Sequence, residues 1–243
     1  MISKESTLIV IPTYNEEMTI ASVIKPLIER GYNCLVVNDD SNDSSALVAR
    51  ECGSEVISLP FNLGVGGALR VGFQFAVRNG FEAVIQIDAD GQHPLDMIDD
   101  LVSCTNTTGA HLVVGSRFKS DSVVMDLGRI RRSAMWLLAK SASHATGQEI
   151  TDSSSGFRLI RRPLLDQLAL GLSANYLGDT YEAMIAAGRA KYQVVEMPVI
   201  IYEREFGESS ATRFQALNFT LKALGVWALQ LHRPIIGPTK NQN

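Results

Sequence analysis

The sequence predicts an α/β protein built on a mainly parallel central sheet with helices on both faces. Three observations carry that reading. Short apolar runs, rich in β-branched residues, recur from Leu8 to Gly115. They alternate with stretches of helical periodicity, the order that produces βαβ units. At 243 residues, 46% hydrophobic and 20% charged, the chain can enclose a large core and is too apolar to be disordered.

The strands are expected over 8–12, 34–38, 56–59, 83–87 and 112–115, each a run suited to burial on both faces. Helices are expected over about 17–30, 44–52, 65–79 and 95–104. Asp43 would cap the second, and Pro94 would occupy the first turn of the last. The polar, glycine-bearing stretch 119–128 reads as a surface loop. Beyond about residue 130 the rhythm changes. A basic start, Arg129-Ile130-Arg131-Arg132, opens a helix through Ala145, and the polar turn Asp152-Ser153-Ser154-Ser155-Gly156 precedes a strand over 157–160. A helix near 180–187 and a strand over 194–201 follow. The stretch 211–232 carries Phe214, Leu217, Leu221, Leu224, Ala228 and Leu231 at helical steps. It reads as a packed C-terminal helix, or as a membrane-surface or homodimer contact flanked by Lys222, His232 and Arg233. A single domain over 1–243 is expected, its rhythm dividing it into parts over about 1–118 and about 129–210.

Composition excludes several functions. A net charge of −4 offers no basic footprint for nucleic acid. Cys34, Cys52 and Cys104 fall in no metal-binding spacing and leave an odd thiol, so reduced cysteines in a cytoplasmic protein are expected. No secretory leader is expected, because the first apolar run stops at Pro12, and no bilayer span is expected, because no run of about 18 uncharged apolar residues occurs.

In an open α/β sheet, ligands bind beyond the carboxyl ends of the strands. Four such ends carry chemistry here: Pro12-Thr13-Tyr14-Asn15-Glu16-Glu17, Asn38-Asp39-Asp40-Ser41-Asn42-Asp43, Asp88-Ala89-Asp90-Gly91-Gln92-His93 and Gly115-Ser116-Arg117. Asp88 and Asp90, two residues apart, place two oxygen ligands on one side of the chain, which suits Mg²⁺ or Mn²⁺ rather than zinc. Gln92 or His93 would add a ligand or a supporting bond, while Asp-Gly alone would read as a turn. Asp39 would accept a hydrogen bond from a base, or merely shape a turn, and Tyr14 would offer its ring to a nucleoside. The segment Asn62-Leu63-Gly64-Val65-Gly66-Gly67-Ala68-Leu69-Arg70-Val71-Gly72 lacks the spacing of a dinucleotide or P-loop motif and reads as tight approach at a loop-to-helix junction, with a role near a nucleotide as the alternative. Arg158 and Arg204 would each serve an anionic diphosphate or an ordinary ion pair.

Taken in order, these segments resemble the family-2 glycosyltransferases of GT-A fold, in the branch of dolichol-phosphate mannose synthase and bacterial polyprenyl-phosphate glycosyltransferases. The resemblance runs from about Leu8 to Ser210 and rests on seven segments: Ile-Pro-Thr-Tyr-Asn-Glu-Glu, Val-Val-Asn-Asp-Asp-Ser-Asn-Asp, Asn-Leu-Gly-Val-Gly-Gly-Ala, Asp-Ala-Asp-Gly-Gln-His-Pro, Gly-Ser-Arg-Phe, Asp-Ser-Ser-Ser-Gly-Phe-Arg and Arg-Glu-Phe-Gly-Glu-Ser-Ser. It implies that Pro12, Tyr14, Glu16, Val37 and Asp39 hold the nucleoside of a nucleotide diphosphate sugar. It also implies that Asp88 and Asp90 bear the metal, with Ala89 against the nucleotide and Gln92 on the metal side. Arg117 and Arg204 would face phosphate or donor sugar; Glu182, with Asp179 as its rival, would be the acidic group on the acceptor side. Two positions depart from the family pattern: Asp-Asp-Gly-Ser reads Asn38-Asp39-Asp40-Ser41, and a basic position reads Ser210, with Arg213 nearby. The implied activity is metal-dependent, inverting transfer of a sugar to a lipid phosphate or a glycan, at the cytoplasm or the inner membrane face. The alternatives are a nucleotide-sugar-binding regulatory module without turnover, and a sugar nucleotidyltransferase.

Overall fold

The computed structural model describes residues 1–119, 129–171 and 178–202, without the side chains of 129–132, 134, 178 and 179. Arg204, Ser210, Arg213, the loop over 120–128 and the helix expected over 211–232 lie outside the described residues.

Among the described residues, seven strands form one sheet: β1 (Thr7–Thr13), β2 (Asn33–Asn38), β3 (Glu55–Ser58), β4 (Ala83–Gln86), β5 (Leu112–Ser116), β6 (Arg158–Arg161) and β7 (Val194–Pro198). Their order is β3-β2-β1-β4-β6-β5-β7, which puts β4 at the centre. Of these seven, β6 runs against the rest, pairing antiparallel with both β4 and β5, so the sheet is mainly parallel as expected.

Alternation along each strand divides the core in two. Leu8 and Val10 join Leu35, Val37 and Val84 on one face, under α3 (Val65–Arg78), α5 (Arg129–Thr146), α6 (Leu164–Gly171) and α7 (Gly178–Arg189). Ile9 and Ile11 join Val36 and Ile85 on the other, under α1 (Ile20–Glu29), α2 (Ser45–Glu51) and α4 (Ile98–Thr108). Helix α3 approaches β1 so closely that a Cβ at Gly72 would lie 2.4 Å from Val10 Cγ1. That contact is the packing role read for this glycine-rich segment.

Several boundaries differ from the periodicity, each for a local reason. Helix α1 begins at Ile20 because the preceding residues are bonded to the loop after β2. Pro94 is extended, and a 3-10 turn over Leu95–Met97 precedes α4. Helix α6 was not expected: its eight residues are too short to display a repeat. Among the described residues, no helix is long and apolar enough to cross a membrane.

Candidate active site

The parallel strands aim their carboxyl ends at one rim, and β6 starts there because it runs the other way. Register makes this concrete: Thr13 faces Asn38, and Gln86 faces Arg158. The segments 12–17, 38–43, 88–93 and 152–157, with Arg117, therefore converge. Helix α7, which carries Glu182, is joined to the start of β7 by the four residues 190–193.

The loops after β1 and β2 clasp each other. Asn15 N–H donates to Ser41 Oγ at 3.0 Å, and Asn42 N–H returns a bond to Asn15 Oδ1 at 2.9 Å. Glu16 N–H donates to Ser45 Oγ at 2.8 Å, Glu17 N–H to Asp43 Oδ2 at 3.1 Å and Ser44 N–H to Glu17 Oε2 at 2.9 Å. Asp43 also accepts the Ser45 N–H, the capping role expected of it, although the helix boundary itself falls at Ser44. Partial burial works against the Asp43 charge, but bonds from the Ser45 hydroxyl and the Ser45 and Glu17 amides hold its pKa below the ordinary value. Asp40 sits at φ 63°, the left-handed conformation a glycine adopts without strain and aspartate tolerates. The departure from the family's glycine is thus compatible with the same turn.

The positions expected around a nucleoside lie along this rim. Pro12 is paired in register with Val37; Tyr14 is 48% exposed, and Val37 is fully buried in the core. The Glu16 carboxylate accepts the Thr19 hydroxyl at 3.0 Å. Asp39 is buried and already engaged: Leu63 N–H donates to its Oδ1 at 2.7 Å, and Asn62 Nδ2 to its carbonyl at 3.1 Å. It ties the glycine-rich loop to β2.

Asp88 follows the central strand with its side chain 40% exposed. Its N–H donates to His93 Nδ1 at 3.0 Å, which fixes the proton on Nε2, 3.5 Å from Asp88 Oδ2. His93 is buried against the Phe157 ring and closes the loop, a supporting role rather than a ligand position. Asp90 Oδ1 accepts the Gln92 N–H at 3.1 Å, and Gln92 reaches across to Tyr202 through Nε2 to the carbonyl at 3.1 Å and through its own carbonyl from the Tyr202 N–H at 2.9 Å. Ala89, between the aspartates, is buried.

Gly156 lies directly beside Asp88. A Cβ there would stand 2.9 Å from Oδ2 and 3.1 Å from Oδ1 of that carboxylate. Gly156→Ala should fold, because the group that must yield is a side-chain terminus, but it should displace Asp88. The expected result is a turnover loss of roughly ten- to a hundredfold with stability changed by no more than about 1 kcal/mol. Steady-state kinetics beside a thermal melt checks both.

Arg117 follows β5 and grips Asp152. Its Nε donates to Oδ2 at 2.7 Å and its Nη2 to Oδ1 at 2.9 Å, with a further bond from Nη2 to Ser154 Oγ at 2.7 Å. Burial disfavours the guanidinium charge, but Asp152, with help from the Asp88 charge, raises the Arg117 pKa above its ordinary value. The arginine expected to face phosphate is therefore also the clamp of the 152–156 turn. Arg158, read as a ligand or a surface partner, is instead fully buried, with Nε on Gln86 Oε1 at 2.8 Å. Glu182 is half-buried on α7 beside Tyr181, whose hydroxyl meets Ser141 Oγ at 2.6 Å. Asp179 belongs to the same helix, with its side chain outside those described.

Two functional candidates escaped the sequence. Asp152 is completely buried, and Glu196 on β7 accepts the backbone N–H groups of Thr151 and Asp152. Nothing local signals either one, since the partners lie 44 residues apart.

The donor set suits a hard divalent cation. It offers two carboxylates, and among the described residues no group of three or more His, Cys, Asp and Glu side chains forms a closed metal cage. Asp88 and Asp90 would hold Mg²⁺ or Mn²⁺ as oxygen ligands.

The sheet and its flanking helices have the GT-A architecture. The chain belongs to glycosyl transferase family 2, whose model matches residues 8–169. The chain is similar to the UDP-N-acetylglucosamine–dolichyl-phosphate N-acetylglucosaminyltransferase of Methanococcus voltae, 28% identical over 84% of this chain and 88% of that one. It is also similar to the polyprenol monophosphomannose synthase of Mycolicibacterium smegmatis, 28% identical over 91% and 88%. Among solved structures, glucosyl-3-phosphoglycerate synthase of Mycobacterium tuberculosis with Mg²⁺ and UDP superposes with a TM-score of 0.68 at 20% identity, covering 95% of this chain and 83% of that one. The same enzyme with Mn²⁺, UDP-glucose and phosphoglyceric acid gives 0.66 at 20% identity, covering 95% and 83%. The GT-A fold and the family resemblance are borne out.

Proposed function

We propose that this glycosyltransferase moves a sugar from a nucleotide diphosphate sugar to a polyprenyl phosphate, with inversion at the anomeric carbon and with Mg²⁺ or Mn²⁺ held by Asp88 and Asp90. The observation that carries the reading is that those two carboxylates lie just beyond the carboxyl end of the central strand β4, with Gly156 clearing the space beside Asp88. The cation, when bound, offsets charge on the departing nucleoside diphosphate.

The chain's own residues do the rest. Tyr14, Pro12, Glu16 and the Val37–Asp39 strand end border the nucleoside. Arg117, fixed by Asp152, adds positive charge on the diphosphate side. Arg204 would join it. A lipid phosphate brings an ionised oxygen and needs no strong base; a hydroxyl acceptor would require a carboxylate such as Glu182 or Asp179 to take its proton. The similarity to transferases named for dolichyl, undecaprenyl and polyprenol phosphates favours the lipid phosphate.

The test incubates the full chain and Mn²⁺ with UDP- and GDP-sugars, with and without polyprenyl phosphate, and measures free nucleoside diphosphate. Release that depends on the lipid is expected, with the product's anomeric configuration opposite to the donor's. Glu182→Gln should retain more than about half of that activity, since no proton must be removed in this reaction. Donor binding with no release under any acceptor would overturn the enzyme reading in favour of a binding module.

A further inference from the structure

We infer that Glu196, a residue of β7, is a positioning residue for the Asp88–Asp90 pair, acting through the 151–156 turn. This rests on the proposed function, because it assigns a purpose to a residue that supports the site without touching it.

The Glu196 carboxylate is buried, 5% exposed, in the middle of a strand. Its Oε1 accepts the Thr151 and Asp152 N–H groups at 3.0 and 2.8 Å. Its Oε2 accepts the Thr151 N–H at 2.9 Å and the Thr151 hydroxyl at 2.8 Å. That hydroxyl in turn receives Ser116 Oγ at 2.6 Å, from the last residue of β5. One buried anion thus organises the start of the turn and the end of β5 together.

The turn then reaches the site along two routes. Asp152, pinned by Glu196 at its amide, holds Arg117 by two side-chain bonds. Four residues later, Gly156 lies against the Asp88 carboxylate with no room for a methyl group. A shift in the turn therefore moves both the arginine and the wall beside Asp88. Burying a carboxylate is unfavourable unless it is fully hydrogen-bonded, and these bonds meet that demand. A strand that needed only packing would be served by valine or isoleucine at this position. The carboxylate supplies what an apolar residue cannot, an anchor for successive backbone amides.

Glu196→Gln is the sharp variant, because it keeps the shape. One carboxamide end still accepts, while the other brings a donor against the Thr151 amide and hydroxyl. Metal uptake is read by the electron paramagnetic resonance signal of free Mn²⁺, with UDP present and no acceptor, so turnover is not needed. Removing a supporting partner of this kind typically weakens metal affinity about 10–100-fold, and a rise of about tenfold in half-saturating Mn²⁺ is expected for Glu196→Gln. Glu196→Asp, which keeps the charge but loses reach, should also weaken uptake. Combining Glu196→Gln with Gly156→Ala should weaken it less than the product of the single effects, because both act on the same wall.

If the wild type takes up Mn²⁺ and Glu196→Gln matches it, the inference fails alone. It also fails if the two substitutions multiply fully, or if weakened uptake appears only where the melting temperature falls in proportion. A wild type that takes up no Mn²⁺ overturns the metal reading of the function, and this inference with it.

Discussion

Replacing Asp88 and Asp90 together by asparagine is expected to lower turnover by at least about a hundredfold while leaving the melting temperature within a few degrees of wild type. The two halves of that result have separate causes. Asparagine keeps the size of aspartate, and its side-chain oxygen can still accept the Gln92 N–H that Asp90 accepts at 3.1 Å. The His93 contact with the Asp88 backbone involves no side-chain oxygen of Asp88 and survives as well. What the double variant lacks is negative charge at a half-exposed position, where a cation would have bound. Stability barely depends on that charge; neutralising a leaving diphosphate does. The same logic makes excess chelator equivalent to the double variant. Kinetics across a Mn²⁺ titration, with circular dichroism melts on the same preparations, test both parts. Activity within about threefold of wild type, in the variant or under chelator, would remove the metal from the mechanism.

The sheet was legible because strands buried on both faces must be apolar at consecutive positions, and Leu8, Ile9, Val10 and Ile11 leave no other reading. Asp88 and Asp90 were legible because charge abruptly ends such a run at the edge where ligands gather. The orientation of β6 was not, since an antiparallel strand of four residues has the same composition as a parallel one. Arg158 shows the limit most clearly. Its sequence neighbourhood suggests an exposed cation near a ligand, yet it lies in the core because its partner Gln86 is 72 residues away. Asp152 and Glu196 fall to the same cause. A serine-rich turn containing an aspartate reads as solvent-facing, and a glutamate within a short strand reads as its polar side. Only the pairing of β5 with β7 brings Glu196 under the turn. Gly156 likewise reads as a turn former, and its closeness to Asp88 is visible only in three dimensions.

Asp152→Ala should cost about 3 kcal/mol, near the low end for breaking a buried ion pair. Asp152 is 0% exposed, whereas the Arg117 side chain keeps 21% of its surface, so water can reach part of the orphaned guanidinium and soften the penalty. The loss is larger than one pair of charges suggests, because the carboxylate also accepts the Arg117 amide and both the amide and hydroxyl of Ser154, each at 3.2 Å. For a chain of this length, about 3 kcal/mol corresponds to a fall of roughly 6–12 °C in melting temperature. Asp152→Asn should fall between alanine and wild type. Its carbonyl can keep one arginine bond, but its amide group would face a donor. The charge argument gives a further expectation: Arg117→Lys should recover only part of the stability, since a single ammonium cannot reproduce the fork that meets Oδ1 and Oδ2 together. Thermal melts of the three variants rank them. A melting temperature for Asp152→Ala within about 2 °C of wild type would show that the turn is held chiefly by Glu196 and that the arginine pair contributes little.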